Sequence, residues 1–209
     1  LKTPSFIYAV DVSEEHLLHQ AIQRHIKKIG IPDIVIANAG VSTGTLSGER
    51  EDLVTFKRMM DINLYGVMHT FLPFMKAFKK RRHGQLVGIA SVAGIRGLPG
   101  SGAYSASKAA LINYLESMRI EMLPFNIQVT TIAPGYIKTP MTHSNPYAMP
   151  FILEVDKAVS LFIQAIDQKK KFIIIPWQMN IVGKLMRLLP ASVWDFLAKR
   201  GPKKLRAMI

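Results

Sequence analysis

The sequence has no cysteine among its 209 residues and little negative charge. The absence of cysteine excludes disulfide bonds, thiolate metal sites and a cysteine nucleophile. Only 14 acidic residues stand against 27 basic ones, which gives a formal net charge of +13. Long apolar runs are also missing, since the run at 172–175 is far shorter than the roughly 18 residues that span a bilayer. With 49% apolar residues, the chain is long enough for one folded α/β domain with a sizeable core.

The basic residues are concentrated near the C-terminal end of the sequence. Residues 167–209 contain 10 basic and 2 acidic side chains. A basic segment of this kind contacts nucleic acid or anionic lipid in some proteins, and in others it is a solvated surface that aids solubility. Because no recognition helix or base-stacking motif accompanies the charge, we predict no specific nucleic-acid partner.

Short apolar runs alternate with amphipathic stretches, which is typical of a parallel sheet covered by helices. The pattern predicts strands over 6–10, 34–37, 85–90, 127–133 and 171–175, and helices over 13–29, 52–80, 103–123 and 156–167. Ser13 is the predicted N-cap of the first helix, because Glu14 and Glu15 follow it. The predicted fold is therefore α/β, with a Rossmann-type doubly wound parallel sheet.

The pattern changes after Pro176, so we predict a catalytic domain over 1–177 and an amphipathic basic helical extension over 178–209. The extension has apolar residues at helical spacing together with Lys184, Arg187, Lys199, Arg200, Lys203, Lys204 and Arg206. Two roles stay open for it: contact of 178–206 with a membrane surface, and packing within the protein or against a second subunit.

Small and polar residues follow four of the predicted strands. They are Asp11-Val12, Asn38-Ala39-Gly40, Ser91 and Pro134-Gly135. Ligands of open parallel sheets bind beyond the carboxyl ends of the strands, and glycine lets a ligand approach the backbone closely. The four strand ends together predict a ligand site at this edge of the sheet.

Tyr104 and Lys108 lie four residues apart on a predicted helix, so their side chains share one helix face. A nearby ammonium lowers the pKa of a phenol by favouring the phenolate. We therefore predict that Lys108 prepares Tyr104 to exchange a proton near neutral pH, while the hydroxyl of Ser91 holds a substrate oxygen.

In this order and spacing, these residues resemble the classical short-chain dehydrogenase/reductase family over nearly the whole chain, through about Trp177. Ser91, Tyr104 and Lys108 match the catalytic Ser, Tyr and Lys of the family, and Asn63 matches its catalytic helix Asn. The resemblance also implies a set of cofactor contacts, namely Asp11, Val12, Asn38, Ala39, Gly40, Tyr104, Lys108, Pro134, Gly135, Ile137 and Thr139.

The resemblance implies a mechanism in which NAD or NADP exchanges a hydride with a carbonyl or a secondary alcohol. Tyr104 would transfer the proton, Lys108 would also hold the nicotinamide ribose, and Ser91 would bind the substrate oxygen. Asn63 would order a water that links Lys108 to solvent. The alternative is a non-catalytic nucleotide-binding or scaffold protein that keeps the fold. A homodimer or homotetramer through the helices near 52–80 and 103–123 is expected by analogy alone.

The sequence departs from the family at its start, because no strand with a glycine-rich turn precedes Asp11. The glycine-rich stretch 94–100 lies between Ser91 and Tyr104, on the substrate side, and is not a phosphate loop. We therefore expect the sequence to lack an N-terminal β-α-β portion of about 50 residues. The alternative is a natural chain that never had it. Without that portion we expect weak cofactor binding and little activity, and the residue that selects NAD or NADP is missing.

Weaker signals concern the substrate and the location of the protein. Met141 and His143 follow Thr139 in the region of the family's substrate loop, and we predict that they contact the substrate. The apolar residues of 141–153 favour a lipophilic substrate, although packing of the loop onto the core explains them equally well. His16 and His19 lack carboxylate partners at ligand spacing, so we predict no metal site. The absence of cysteine fits a reducing compartment, so we predict a cytoplasmic protein, with a peripheral position at a membrane surface as the open alternative.

Overall fold

The computed structural model describes residues 5–143, 145–199, 201 and 204–206. The strands are β1 (Ile34–Ala37), β2 (Gly84–Ile89), β3 (Ile127–Pro134) and β4 (Phe172–Ile175). The helices are α1 (Glu15–Ile29), α2 (Asp52–Met60), α3 (Gly66–Arg81), α4 (Gly102–Met122), α5 (Pro140–His143), α6 (Val155–Asp167), α7 (Trp177–Leu188) and α8 (Ala191–Lys199). A π-helical turn, Asp61–Tyr65, joins α2 to α3.

The four strands form one parallel sheet in the order β1-β2-β3-β4. Along β2, Leu86 faces the larger core with α3, α4 and α7, whereas Val87 faces a smaller core with α6. This alternation follows from the two-residue period of a strand, and it buries both faces of the sheet under helices. The predicted Rossmann-type α/β fold is confirmed.

The predicted strand over 6–10 is wrong. Residues 5–10 have no regular structure, and Ile7 is 92% exposed. In the Rossmann strand order 3-2-1-4-5-6, the strand expected over 6–10 would be the third and would pair with the second. Within the described residues no strand lies beside 6–10. Without ladder hydrogen bonds the segment instead packs the rings of Phe6 and Tyr8 against His25 of α1, with centroids 6.4 and 6.0 Å apart.

The predicted N-cap of α1 is also wrong. The N-cap position is Glu14, and the Ser13 hydroxyl donates instead to Asp11 Oδ1 at 2.7 Å. The backbone N–H of Ser13 donates to the same oxygen at 2.9 Å. Asp11 therefore closes a local turn at the point where Ser13 was expected to start the helix.

The C-terminal helices are fastened to the loop that follows Ser91. Arg96 Nη1 donates to the carbonyl oxygens of Met186 and Leu189, both at 2.6 Å, and its guanidinium lies 5.1 Å from the Trp194 ring centroid. A positive charge at the C-terminal end of a helix is stabilising, because carbonyl groups there lack partners within the helix. Residues Arg200 and Lys203 of the predicted basic extension lie outside the described residues.

Candidate active site

The predicted catalytic residues lie where β2 ends and α4 begins. Ser91 lies two residues beyond the end of β2, and Tyr104 and Lys108 occupy the first two turns of α4. The side chains of Ser91 and Tyr104 form a hydrogen bond, and Ser91 Oγ also accepts from the Ala93 N–H at 3.1 Å. The structure therefore brings together the two groups that were predicted to meet a substrate oxygen.

The electrostatics of Tyr104 differ from the prediction. Burial raises the pKa of Tyr104, and the hydrogen bond with Ser91 only partly offsets this effect. The ammonium of Lys108 donates at 2.8 Å to the Ile89 carbonyl oxygen rather than to the phenol. The sequence-based prediction that Lys108 lowers the pKa of Tyr104 is wrong for this arrangement, because desolvation disfavours the phenolate.

Lys108 is itself a buried cation, with 4% of its surface exposed. Burial lowers its pKa from 10.5 to about 8, since a low-dielectric environment disfavours the ammonium. A Cβ atom at Gly40 would stand 3.4 Å from Lys108 Nζ and 3.2 Å from Asn63 Oδ1. Glycine at this position leaves space beside the amine that any other side chain would fill.

Gly94 allows the loop after Ser91 to lie directly on α4. A Cβ atom at Gly94 would stand 2.6 Å from the Lys108 carbonyl carbon and 2.9 Å from the Ala109 nitrogen. The close backbone approach keeps Ser91 near the helix that carries Tyr104.

Asn63 is fully buried in the π-helical turn and connects two parts of the site. Its Nδ2 donates to the Val41 carbonyl at 2.9 Å and to Ser107 Oγ at 3.0 Å, while its Oδ1 accepts from the Val41 N–H at 2.8 Å. Ser107 in turn donates to the Tyr104 carbonyl at 2.9 Å. Asn63 thus ties the loop after β1 to α4, in the kind of π-helical insertion that is frequent at functional sites. Its predicted role in ordering a water stays a prediction.

We expect Asn63→Ala to lower the free energy of unfolding by about 3 kcal/mol, because it leaves the partly buried Val41 N–H and carbonyl and the buried Ser107 hydroxyl without this partner. Urea unfolding of the purified variant measures the change. Asn113→Ala, at an exposed position of α4, is the matched control and should change stability by less than about 0.5 kcal/mol. Equal stability of the two variants would contradict the connecting role.

The predicted cofactor contacts fall into two groups. Val12, Asn38 and Ala39 line an apolar cavity of about 360 Å³ between the 6–12 segment, α1, β1 and α3. Asp11 lies beside them, but its carboxylate accepts from Arg58 at 2.6 Å as well as from Ser13. The hydrogen bonds from Ser13, followed by those from Arg58, lower the pKa of Asp11 to about 2.

The second group follows β3. Pro134 ends the strand, and the Gly135 N–H donates to the Ile175 carbonyl at 2.7 Å. Ile137 forms a single parallel bridge with Leu153, and the Thr139 N–H donates to Thr142 Oγ1 at 3.0 Å. These bonds fix the backbone beyond the carboxyl end of β3, on the side of the sheet edge where Ser91 lies.

Tyr136 and Tyr147 were not predicted as residues of the active site. Their rings meet at a centroid distance of 6.4 Å, and the Tyr147 phenol interacts electrostatically with both Tyr136 and Tyr104. Tyr147 lies within the 141–153 stretch, whose apolar residues favoured a lipophilic substrate, and no spacing rule links it to Tyr104 across more than 40 residues. Met141 and His143 are exposed on α5, and their contact with a substrate stays a prediction.

The described residues include polar groups with unused hydrogen-bonding capacity. Ser105 Oγ, Asn145 Oδ1 and Gln178 Oε1 are buried without a hydrogen-bond partner among the described residues. Buried polar atoms in native proteins are normally paired, so atoms of this kind are available to a bound group or to ordered water. The single hydrogen bond described for Lys108 Nζ leaves further ammonium protons to donate. The same described residues contain no group of three or more His, Asp or Glu side chains that could hold a metal ion.

A parallel sheet with helices on both faces, and polar side chains gathered at its carboxyl edge, defines a Rossmann-type α/β protein. The sequence model of the family described as short chain dehydrogenase matches residues 2–149. The chain therefore belongs to the short-chain dehydrogenase family, as its motifs predicted.

Two relatives and one solved structure illustrate the similarity. An "uncharacterized oxidoreductase" from Myxococcus xanthus is 34% identical over 191 residues, which are 91% of this chain and 75% of the relative. Epidermal retinol dehydrogenase 2 from Mus musculus is 32% identical over 199 residues, 91% of this chain and 63% of the relative. The structure of 4-hydroxyisoleucine dehydrogenase complexed with NADH has a TM-score of 0.68 and 28% identity, covering 79% of this chain and 77% of that one. The chain spans between about half and three quarters of the length of the curated relatives it matches.

Proposed function

We propose that this protein is an NAD(P)-dependent oxidoreductase that interconverts a carbonyl compound and a secondary alcohol. The observation that carries the proposal is the hydrogen-bonded pair of Ser91 and Tyr104, one helical turn from the buried Lys108. The structure of 4-hydroxyisoleucine dehydrogenase with NADH supports the choice of a nicotinamide cofactor. The alternative, a non-catalytic scaffold, gives no reason to keep a cation buried at this position, because an unpaired buried charge destabilises a fold.

When bound, the nicotinamide supplies the hydride chemistry. Lys108 is the residue that would hold the ribose hydroxyls, since its ammonium has protons to donate and Gly40 leaves space beside it. Pro134, Gly135 and Ile137 would hold the nicotinamide end, and Val12 with Asn38 and Ala39 the adenosine end. We infer no preference between NAD and NADP.

Tyr104 is the proposed proton donor. In the reduction, its phenol O–H bond breaks as the proton passes to the substrate oxygen, while the carbonyl carbon gains the hydride. Ser91 donates a hydrogen bond to that oxygen and orients it. The raised pKa of Tyr104 suits this direction, because a phenol that resists ionisation keeps its proton until the substrate oxygen develops negative charge.

We propose a lipophilic substrate. Tyr136 and Tyr147 form an aromatic pair, the Tyr147 phenol interacts electrostatically with Tyr104, and Met149 and Phe151 follow Tyr147 on the same loop. Ligand pockets match the surface of their ligands, with few polar groups placed to orient them. A relative named for retinol, a long apolar alcohol, supports this class.

A homodimer or homotetramer is the proposed assembly. Exposed apolar side chains on α2 and α3, such as Val54 at 72% and Leu72 at 55%, lie on the predicted subunit contact. Light scattering of the purified protein during size-exclusion chromatography distinguishes a monomer from either oligomer.

The activity is tested on the full-length protein by following oxidation of NADH and of NADPH with a series of methyl ketones of increasing chain length. We expect turnover with the longer ketones and a kcat/KM that rises about fourfold per added methylene. This is the ratio that corresponds to the roughly 0.8 kcal/mol gained by burying one methylene group. A kcat/KM independent of chain length would contradict the lipophilic substrate. Cofactor binding without turnover of any carbonyl would favour the scaffold alternative.

A further inference from the structure

The outward face of α7 is apolar, although it faces solvent. Trp177, Ile181, Leu185 and Leu188 are 68, 50, 57 and 79% exposed. At 3.6 residues per turn these four side chains fall within an arc of about 80° on one side of the helix. Contiguous exposed apolar surface of this kind marks an interaction site in a soluble domain. We name these four residues the α7 stripe.

The opposite face of α7 is occupied by the protein core. Met179 and Gly183 are buried, and the side chain of Ile95 lies against Gly183. The C-terminal end of the helix is held by Arg96 through the carbonyl groups of Met186 and Leu189. The helix therefore cannot turn its stripe inward without losing this packing.

Basic residues border the α7 stripe. Lys184 and Arg187 follow one edge of it, and Lys199 ends the adjacent helix α8, which exposes Val193 and Leu197 by 42 and 51%. Asp195 is the one acidic side chain between 177 and 199. The other described basic residues of 178–206 bind distant parts of the protein: Lys204 donates a hydrogen bond to Ser42, and Arg206 forms a salt bridge with Asp52.

We propose that α7 and α8 bind the surface of an anionic lipid bilayer, with the α7 stripe in the interface and the basic residues against the headgroups. An apolar helix face bordered by lysine and arginine is the arrangement of interfacial helices. Tryptophan suits the boundary, because its ring is apolar and its N–H is polar. Across the part of the chain that the structure describes, no helix has the length and apolar character needed to cross a membrane. The contact is therefore a surface contact.

Charge favours lipid over a second copy of the chain as the occupant. A two-fold contact between two α7 stripes would place Lys184 and Arg187 of one copy near the same residues of the other. The chain carries a net charge of +13, so association of two copies through this basic edge is opposed, whereas an anionic surface is attracted.

The proposal is tested by sedimenting the full chain with vesicles of phosphatidylcholine alone or with about one third phosphatidylglycerol. We expect binding to the anionic vesicles and at least tenfold weaker binding to the neutral ones. Leu185→Ser/Leu188→Ser should weaken anionic binding at least tenfold through lost apolar contact. Lys184→Glu/Arg187→Glu should also weaken anionic binding at least tenfold, because each basic side chain near an anionic surface contributes about fivefold to the affinity.

Val159→Ser/Ile163→Ser is the matched control. It removes two exposed aliphatic side chains, 45 and 53% exposed, four residues apart on one face of α6, and should bind like the parent chain. Quenching of Trp177 fluorescence by brominated lipid provides a second measurement, with Trp177→Phe identifying its contribution. Absence of binding, equal binding to both vesicle types, or unchanged binding of the two test variants would overturn the proposal. A loss of self-association in Leu185→Ser/Leu188→Ser, without lipid binding by the parent, would assign the face to a second copy instead.

Discussion

Tyr104→Phe is expected to reduce turnover by about 10²–10⁴-fold, the range that a positioned proton donor contributes. The substitution removes only the phenol oxygen, so the aromatic ring still fills the same space at the start of α4. We therefore expect the affinity for the nicotinamide cofactor to change by less than about threefold. Steady-state kinetics of carbonyl reduction and a fluorescence titration with NADPH measure the two quantities separately.

Tyr114→Phe is the control for this experiment. Tyr114 lies on the same helix as Tyr104, is half-buried, and packs against the larger core. Its substitution should leave turnover within about twofold of the parent. Retained turnover in Tyr104→Phe would remove Tyr104 from the proposed mechanism, whereas equal losses in the two variants would indicate a general effect of disturbing α4.

Lys108→Met is expected to abolish turnover and to stabilise the fold near neutral pH. Below pH 8 the buried amine of Lys108 is charged. The difference between its ordinary pKa of 10.5 and its folded-state pKa of about 8 corresponds to about 3 kcal/mol that destabilises the folded state. Methionine fills similar space without a charge, but leaves the Ile89 carbonyl without its partner, which costs about 1 kcal/mol. The net expectation at pH 7 is a gain of about 2 kcal/mol in the free energy of unfolding.

The pH dependence separates this explanation from a simple packing effect. The folded-state pKa of Lys108 lies below the unfolded value, so the unfolded state binds more protons between pH 8 and about 10.5. The stability of the parent chain, as far as this group determines it, therefore rises with pH across that interval. The advantage of Lys108→Met should shrink over the same interval and reverse to about 1 kcal/mol in favour of the parent.

Urea unfolding of the parent and the variant at pH 7 and at pH 10.5 measures the difference, and comparison of the two proteins cancels groups that titrate equally in both. Lys157→Met replaces an exposed lysine on α6 and should show no such crossing. A stability difference that is the same at both pH values would contradict the buried-charge explanation. A buried charge that lowers the stability of the fold is expected at a position where function requires the charge.

The periodicity of the sequence was sufficient for most of the fold. The predicted helix over 103–123 corresponds to α4, and the predicted strand over 127–133 to β3, with ends within one residue. Such elements are strongly periodic and bounded by turn residues, so local information is enough to find them. The motif of Tyr104 and Lys108 was equally local, because four residues of a helix fix their common face.

Other features depended on partners that are distant in the sequence. The 6–10 segment has the residues of a buried strand, but a strand forms only beside a neighbour with which it exchanges hydrogen bonds. The pKa of Tyr104 is raised rather than lowered, because burial disfavours the phenolate while the Lys108 ammonium bonds the Ile89 carbonyl. Tyr147 interacts electrostatically with Tyr104 although more than 40 residues separate them in the sequence, which only the fold makes possible.

By itself, the sequence determined the family of this protein, the order of its helices and strands, and the identity of the residues at its proposed catalytic centre. These properties follow from spacing and residue type, which act over a few positions. Only the tertiary structure decided how deeply Lys108 is buried, which way the pKa of Tyr104 moves, and that the apolar side of α7 faces outward. Desolvation and surface exposure depend on everything that surrounds a side chain, and the fold brings those surroundings together from distant parts of the chain.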